Sequence, residues 1–94
     1  MESRKHRQTA ERIAAKKGAQ YNSDKGVDIV TASQAIEVEP AETVREGVRQ
    51  LQGYRKPAYI AGTDSDAVEA ALDATRGTTI GVMDSRGKDR KSVV

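Results

Sequence analysis

Three carboxylates stand where two β-branched segments follow one another in the sequence. Glu37 and Glu39 alternate with apolar residues in the segment 35–39, and the period of two in a strand places both carboxylates on one face. Asp28 lies in the preceding segment, which we predict to form a hairpin with the second, so it can approach the pair. Because like charges at this spacing repel unless a cation is present, the pattern predicts a metal site.

The chemistry of these ligands favours a hard divalent cation. Carboxylate oxygens suit Mg²⁺ or Mn²⁺, which take a few protein ligands and complete their shell with water and phosphate. The 94 residues contain no Cys and a single His, which makes zinc a poor candidate. A second interpretation stays open: Glu37 and Glu39 line the solvated side of a half-exposed strand.

Periodicity and turn residues predict the elements that carry these carboxylates. We expect a helix over 4–17 that ends at Gly18, a strand over 19–22, hairpin strands over 27–31 and 35–39, a helix over 43–52 whose first turn has capping-box spacing, a strand over 58–62, a helix capped within 63–66 and ended by Gly77, and a strand over 78–83. The order α-β-β-β-α-β-α-β predicts an α/β fold, one domain over 1–94 with a mixed sheet and flanking helices. Residues 86–94 are expected to form a flexible basic tail.

Three segments carry a resemblance to a known family. Gly26–Val30, Ala35–Glu39 and Gln50–Tyr54 resemble the PD-(D/E)xK nuclease superfamily, which has an Asp at the start of one strand, Glu-x-Lys on the next and, in RecB-like nucleases, Gln-x-x-x-Tyr on the following helix. The element order is also that of the superfamily's restriction-endonuclease-like core, and the resemblance spans about 4–62. Archaeal Holliday-junction resolvases are similar in size and have a Glu on the N-terminal helix, here Glu11.

The resemblance implies a metal held by Asp28 and Glu37, with Glu11 as a further ligand, and catalysis that involves Glu39. Glu39 stands where the family usually has Lys. A Lys would orient the attacking water and offset phosphate charge, whereas a Glu can act as a general base or metal ligand but supplies no positive charge. The candidates for a cation from elsewhere in the chain are Lys25, Arg49 and Lys56.

The predicted second helix carries further candidate site residues. Gln50 and Tyr54 are four apart and share a helix face, and the resemblance implies that this face points to the site and the nucleic-acid backbone. The alternative is an exposed polar face with Tyr54 packed on the sheet. Arg45 and Arg49 form a basic stripe that can contact phosphates or pair with acidic neighbours.

Charge is distributed unevenly along the chain. Residues 1–25 hold seven basic and three acidic side chains, residues 26–85 hold five and ten, and residues 86–94 hold four and one. Basic ends of this kind favour a polyanionic partner. His6, in the basic N-terminal run, is expected to be solvated. The residues predicted to contact DNA are Arg4, Lys5, Arg7, Lys25, Arg45, Arg49 and Lys56.

These observations favour one function and exclude several. We expect a Mg²⁺- or Mn²⁺-dependent deoxyribonuclease, with DNA as partner, a homodimer or larger nuclease complex as its assembly, and a soluble, cytoplasmic location. The alternatives are a catalytically inactive DNA-binding or complex-forming module of the same fold and a small protein-interaction domain. The sequence contains neither a phosphate-binding Gly-x-x-x-x-Gly-Lys motif nor a dinucleotide-binding Gly-x-Gly-x-x-Gly motif.

Overall fold

The computed structural model describes residues 3–23 and 26–93, which form three α-helices and five strands. The helices are α1 (Arg4–Lys17), α2 (Val44–Leu51) and α3 (Ser65–Ala74); the strands are β1 (Ile29–Val30), β2 (Ala35–Glu39), β3 (Ala58–Gly62), β4 (Gly81–Met83) and β5 (Asp89–Lys91). A 3₁₀ turn, Ala41–Thr43, precedes α2. The predicted bounds of the first helix and of the strand over 58–62 are confirmed.

The strands form one mixed sheet in the order β1-β2-β3-β4-β5. The outer pairs, β1 with β2 and β4 with β5, are antiparallel, while β2, β3 and β4 run parallel. Parallel neighbours need a crossover, and α2 and α3 supply the two crossovers. The prediction of an α/β fold with a mixed sheet and flanking helices is therefore confirmed.

Helices cover both faces of the sheet. On one face, the apolar stripe of α1, which includes Ala10 and Ile13, packs against Ile36 and Val38 of β2. On the other face, apolar residues of α2 and α3 pack against a second set of strand residues that includes Ile60 of β3. All five residues of β3 are buried, as expected for a central strand between two helical layers.

Several predicted elements differ from the structure. The first hairpin strand, predicted over 27–31, consists only of Ile29–Val30. The strand over 19–22 is reduced to a single bridge between Tyr21 and Ile29. The strand predicted over 78–83 begins only at Gly81. The residues before it form a turn, in which the Thr78 hydroxyl donates to the carbonyl of Thr75 and accepts from the backbone N–H of Ile80.

The prediction of a capping box at the start of α2 is also wrong. Thr43 makes no side-chain hydrogen bond to the backbone of the helix. Its hydroxyl donates to Glu39 Oε1 at 2.5 Å, so the group that would cap the helix is used by the carboxylate at the end of β2.

The basic segment from Arg86 is also not a frayed tail, because it turns back and contributes β5. Asp84 accepts hydrogen bonds from the backbone N–H groups of Arg86 and Lys88, and Gly87 takes the positive φ of 80° that this tight turn needs. Lys91 then directs its ammonium group to the carbonyls of Thr75 at 2.7 Å and Ile80 at 2.9 Å, which fastens β5 to the end of α3.

Within the described part of the chain, no helix is both long enough and apolar enough to cross a lipid bilayer.

The Lys91 contacts predict a measurable contribution to stability. Lys91→Met keeps an aliphatic side chain of similar length but leaves backbone carbonyls without their charged donor. We expect the free energy of unfolding in urea to fall by about 1–2 kcal/mol, since hydrogen bonds to a charged group are stronger than neutral ones. Arg90→Met, at the exposed neighbouring position, should change it by less than about 0.5 kcal/mol. Equal values for the two variants would contradict this assignment.

Candidate active site

The site centres on two carboxylates that face each other across the hairpin. The β1–β2 ladder pairs Ile29 with Ile36, and one residue further along Asp28 meets Glu37. The backbone N–H of Asp28 donates to Glu37 Oε1 at 3.3 Å, and the backbone N–H of Val38 donates to Asp28 Oδ2 at 2.9 Å. The Asp28 side chain thus takes up a backbone donor of β2 at the point where β1 has ended, and it is held beside Glu37.

Glu37 is a buried acid with an incompletely satisfied carboxyl group. The residue is 3% exposed, and its Oε2 has no hydrogen-bond partner among the described residues. Burial, followed by the charge and contacts of Asp28, raises the pKa of Glu37 to about 8. Two adjacent carboxylates cannot both ionise at low cost, so the pair holds either a proton or a cation in its place.

Glu39 points to the same side of β2 and lies against α2. A Cβ atom at Gly47 would come within 2.7 Å of Glu39 Oε2, so a helix residue without a side chain makes room for this carboxylate. Its Oε1 accepts the hydrogen bond from Thr43. Burial is the largest influence on Glu39 and raises its pKa.

A groove of about 400 Å³ opens beside Glu39, between the beginning of α1 and the outer side of α2. Glu39 lies in its wall, together with His6, Thr43, Glu46 and Gln50. Among the described residues that line it there is neither Lys nor Arg.

His6 belongs to the site, although it was expected to be solvated. Its Nε2 lies 3.4 Å from Asp28 Oδ2, and its side chain is only 18% exposed. Spacing was the signal that could have found it, because His6 precedes Ala10 by four residues and Ile13 by seven and so extends the buried stripe of α1.

The structure brings only some of the other predicted site residues together. Gln50 borders the groove next to Glu39. Tyr54 lies in a different groove, with Pro57 and Thr78, because α2 runs back along β2 and carries Tyr54 to the opposite end of the sheet. The structure therefore does not bring Tyr54 together with the other predicted site residues.

Glu11 is also absent from the site. Its side chain is 56% exposed and lies 3.2 Å from Arg7, one turn away on the solvent side of α1. The N-terminal helix contributes His6 in its place, since only the buried stripe of α1 faces the sheet. Across residues 3–23 and 26–93, no group of three or more acidic or histidine side chains is arranged to hold a metal ion.

The basic residues predicted to contact DNA are mostly at the surface. Lys5, Arg7 and Arg45 form ion pairs with Asp64, Glu11 and Asp73, and Lys56 donates to the carbonyl of Thr31. Arg4 and Arg49 are exposed. Lys25 lies outside the described residues. None of these contacts tests DNA binding, which stays a prediction.

Comparison of the chain with protein-family models, curated proteins and solved structures finds no match.

The raised pKa of Glu37 predicts how stability depends on pH. The folded protein keeps a proton on Glu37 up to about pH 8, whereas the unfolded chain loses it near its ordinary value of 4.5. Between these values stability falls as pH rises, with a slope of up to about 1.4 kcal/mol per pH unit.

Glu37→Gln removes this titration while keeping the shape of the side chain. As the pH rises from about 5 to about 8, we expect the unfolding free energy of the wild type to fall relative to that of the variant. Urea denaturation across this range measures it. Parallel curves for the two proteins would show that Glu37 does not titrate as proposed.

Proposed function

We propose that this protein is a metal-dependent phosphodiesterase that acts on DNA, of the PD-(D/E)xK type. The observation that carries the proposal is the Asp28–Glu37 pair. It combines two adjacent carboxylates with a buried Glu37 oxygen that has no donor. A site built this way is stabilised by an added positive charge, and a divalent cation would supply more of it than a proton.

The element order supports the same assignment. A helix precedes the acidic hairpin, and a second helix leads from the hairpin to a parallel strand. The two acids lie at facing positions on neighbouring strands, as the resemblance implies. The bridge from Tyr21 to Ile29 stands where the superfamily core has its first strand.

The residues present fit a divalent cation that needs few protein ligands. Asp28 and Glu37 would hold it, and Mg²⁺ commonly binds through one or two carboxylates, with water and phosphate completing the octahedron. When bound, such an ion lowers the pKa of a coordinated water and offsets phosphate charge.

The remaining residues of the groove have roles that follow from their chemistry. Glu39 is placed to orient the attacking water and accept its proton, and its raised pKa makes it a better base near neutral pH. Gln50 offers an amide donor to the substrate backbone. The beginning of α1, with Arg4, Lys5 and Arg7, lies next to the groove and would bind flanking phosphates in a salt-dependent, sequence-independent way.

A second candidate is a non-catalytic DNA-binding module of the same fold. It is favoured by Glu39 at the position of the family's usual Lys and by a groove wall whose described residues include neither Lys nor Arg. In that case the acidic pair keeps a proton, and the basic surface alone carries the function.

Nicking of supercoiled plasmid in Mn²⁺ or Mg²⁺ tests the proposal. Wild type should nick the plasmid, and Asp28→Asn should reduce the rate on the order of 100-fold by removing a metal-ligating carboxylate. Asp89→Asn, the same change at an exposed position of β5, should leave the rate unchanged.

The failures of this experiment are distinguishable. If neither wild type nor variant nicks DNA but salt-sensitive DNA binding persists, the protein is the non-catalytic module. If DNA binding is also absent, the small protein-interaction domain is the remaining interpretation.

Gly47 provides an independent test of Glu39. Gly47→Ala places a methyl group where the Glu39 carboxylate lies, while Ala favours the helix by up to about 1 kcal/mol. We therefore expect stability close to that of wild type but a nicking rate reduced about 10-fold or more, as for loss of a general base. In a Glu39→Ala background the same change should have no further effect on rate, and equal losses in both backgrounds would contradict the assignment.

A further inference from the structure

Tyr21 and His6, to which the proposed reaction assigns no role, form a chain of polar side chains with Asp28. The Tyr21 hydroxyl lies 3.3 Å from His6 Nδ1, and His6 Nε2 lies 3.4 Å from Asp28 Oδ2. The two rings are tilted by 57° with centroids 6.0 Å apart. His6 belongs to α1, Tyr21 to the connection after α1, and Asp28 to the start of the hairpin.

The positions of the protons on His6 and Tyr21 follow from the Asp28 carboxylate at one end of the chain. Asp28 Oδ2 accepts from the Val38 N–H, so the same oxygen can also accept from a ring N–H. His6 is therefore assigned with its proton on Nε2, directed to Asp28, and Nδ1 accepts from the Tyr21 hydroxyl. The contact with Asp28 selects this tautomer, and the contact with Tyr21 is compatible with it, since a phenolic hydroxyl can donate or accept.

Both contacts to Asp28 fall on the same oxygen. Oδ2 receives the backbone N–H of Val38 at 2.9 Å and faces His6 Nε2 at 3.4 Å. Together the two contacts hold the carboxylate by Oδ2, and Oδ1 takes part in neither of them. Partners of this kind, one step removed from a metal, orient its ligands in many proteins.

The fold holds His6 and Tyr21 in place. His6 is set by the packing of α1, whose residues Ala10 and Ile13 are completely buried against the sheet. The backbone of Tyr21 is set by its bridge to Ile29, the residue after Asp28. The chain therefore connects the docking of α1 to the orientation of one carboxylate.

We infer that His6 and Tyr21 are positioning residues that orient Asp28 to bind a divalent cation through Oδ1. This inference rests on the proposed function, because it assigns the cation to the Asp28–Glu37 pair. It goes beyond that function by assigning roles to two residues and a specific oxygen.

Mn²⁺ affinity, measured by calorimetry on the full chain without DNA, tests the inference. His6→Leu keeps a side chain of similar size but removes the ring nitrogen next to Asp28 Oδ2. We expect the affinity for Mn²⁺ to fall about 10- to 100-fold. His6→Gln carries an amide nitrogen that can donate in place of Nε2 and should stay within about 3-fold of wild type, the conservative rescue expected of a positioning role.

Tyr21→Phe should weaken Mn²⁺ binding about 3- to 10-fold, since it removes only the outer hydrogen bond. Tyr54→Phe is the matched control, because it deletes a hydroxyl at the opposite end of the sheet, and should have no effect. Unchanged affinity in both His6→Leu and Tyr21→Phe overturns the inference, as does an equal loss in His6→Gln and His6→Leu.

Nitrogen NMR of the imidazole, with the ring neutral and no metal present, separates this inference from the proposed function. We expect protonated Nε2 and unprotonated Nδ1 in wild type, with Tyr21→Phe moving the Nδ1 resonance and leaving Nε2 in place. The opposite tautomer, or an Nδ1 resonance unmoved in Tyr21→Phe, overturns the chain even if His6→Leu does not fold. The expected spectrum together with no Mn²⁺ binding by wild type supports the chain and overturns the proposed function.

Discussion

The parallel pairing of β2 with β3 constrains where every residue of the site lies. Five residue pairs, from Ala35 with Ala58 to Glu39 with Gly62, hold the two strands side by side. Because parallel neighbours need a crossover, the chain leaves β2 at Glu39, returns along α2 over one face and re-enters at Ala58. The returning helix covers the side of β2 that carries Glu37 and Glu39, so that Glu37 is buried and Glu39 is half-buried.

Burial of these acids is unfavourable unless each negative charge is neutralised or hydrogen-bonded. Glu39 meets this condition through the Thr43 hydroxyl, at the expense of the helix cap that Thr43 could have formed, and through the space left by Gly47. Glu37 meets it only in part, since one oxygen accepts from Asp28 and the other has no donor. The buried carboxyl group of Glu37 is thus incompletely hydrogen-bonded, and groups with perturbed electrostatics of this kind are common at functional sites.

The shortness of β1 is the second determinant of the site. Its two residues leave the outer edge of β2 open from Glu37 onward, and the side chain of Asp28 takes up the Val38 N–H that a longer strand would have paired. The beginning of α1 lies beside this opening and supplies His6. An edge that would otherwise offer unpaired backbone groups becomes a place where side chains from three segments converge.

Local signals in the sequence determined most of the helices and strands, and also that Asp28 lies opposite Glu37. Helix-forming residues ended by Gly18 predicted α1, β-branched residues predicted β2 and β3, and the hairpin brought Asp28 opposite Glu37. These features depend on neighbours within a few residues, so spacing alone is sufficient to predict them. The same reasoning could not detect β5, because three charged residues next to a basic segment give no apolar pattern, and their strand depends on pairing with β4.

Only the tertiary structure decided which candidate residues share the site. The direction of α2 along β2 keeps Gln50 at the groove and carries Tyr54 away, and the docking of α1 brings in His6 and leaves Glu11 in solvent. Burial of Glu37, and with it the raised pKa, also depends on α2 covering the strand. The physical reason is the same in each case: spacing determines which side of an element a residue occupies, whereas distance between elements and exposure to water are set only when the layers pack.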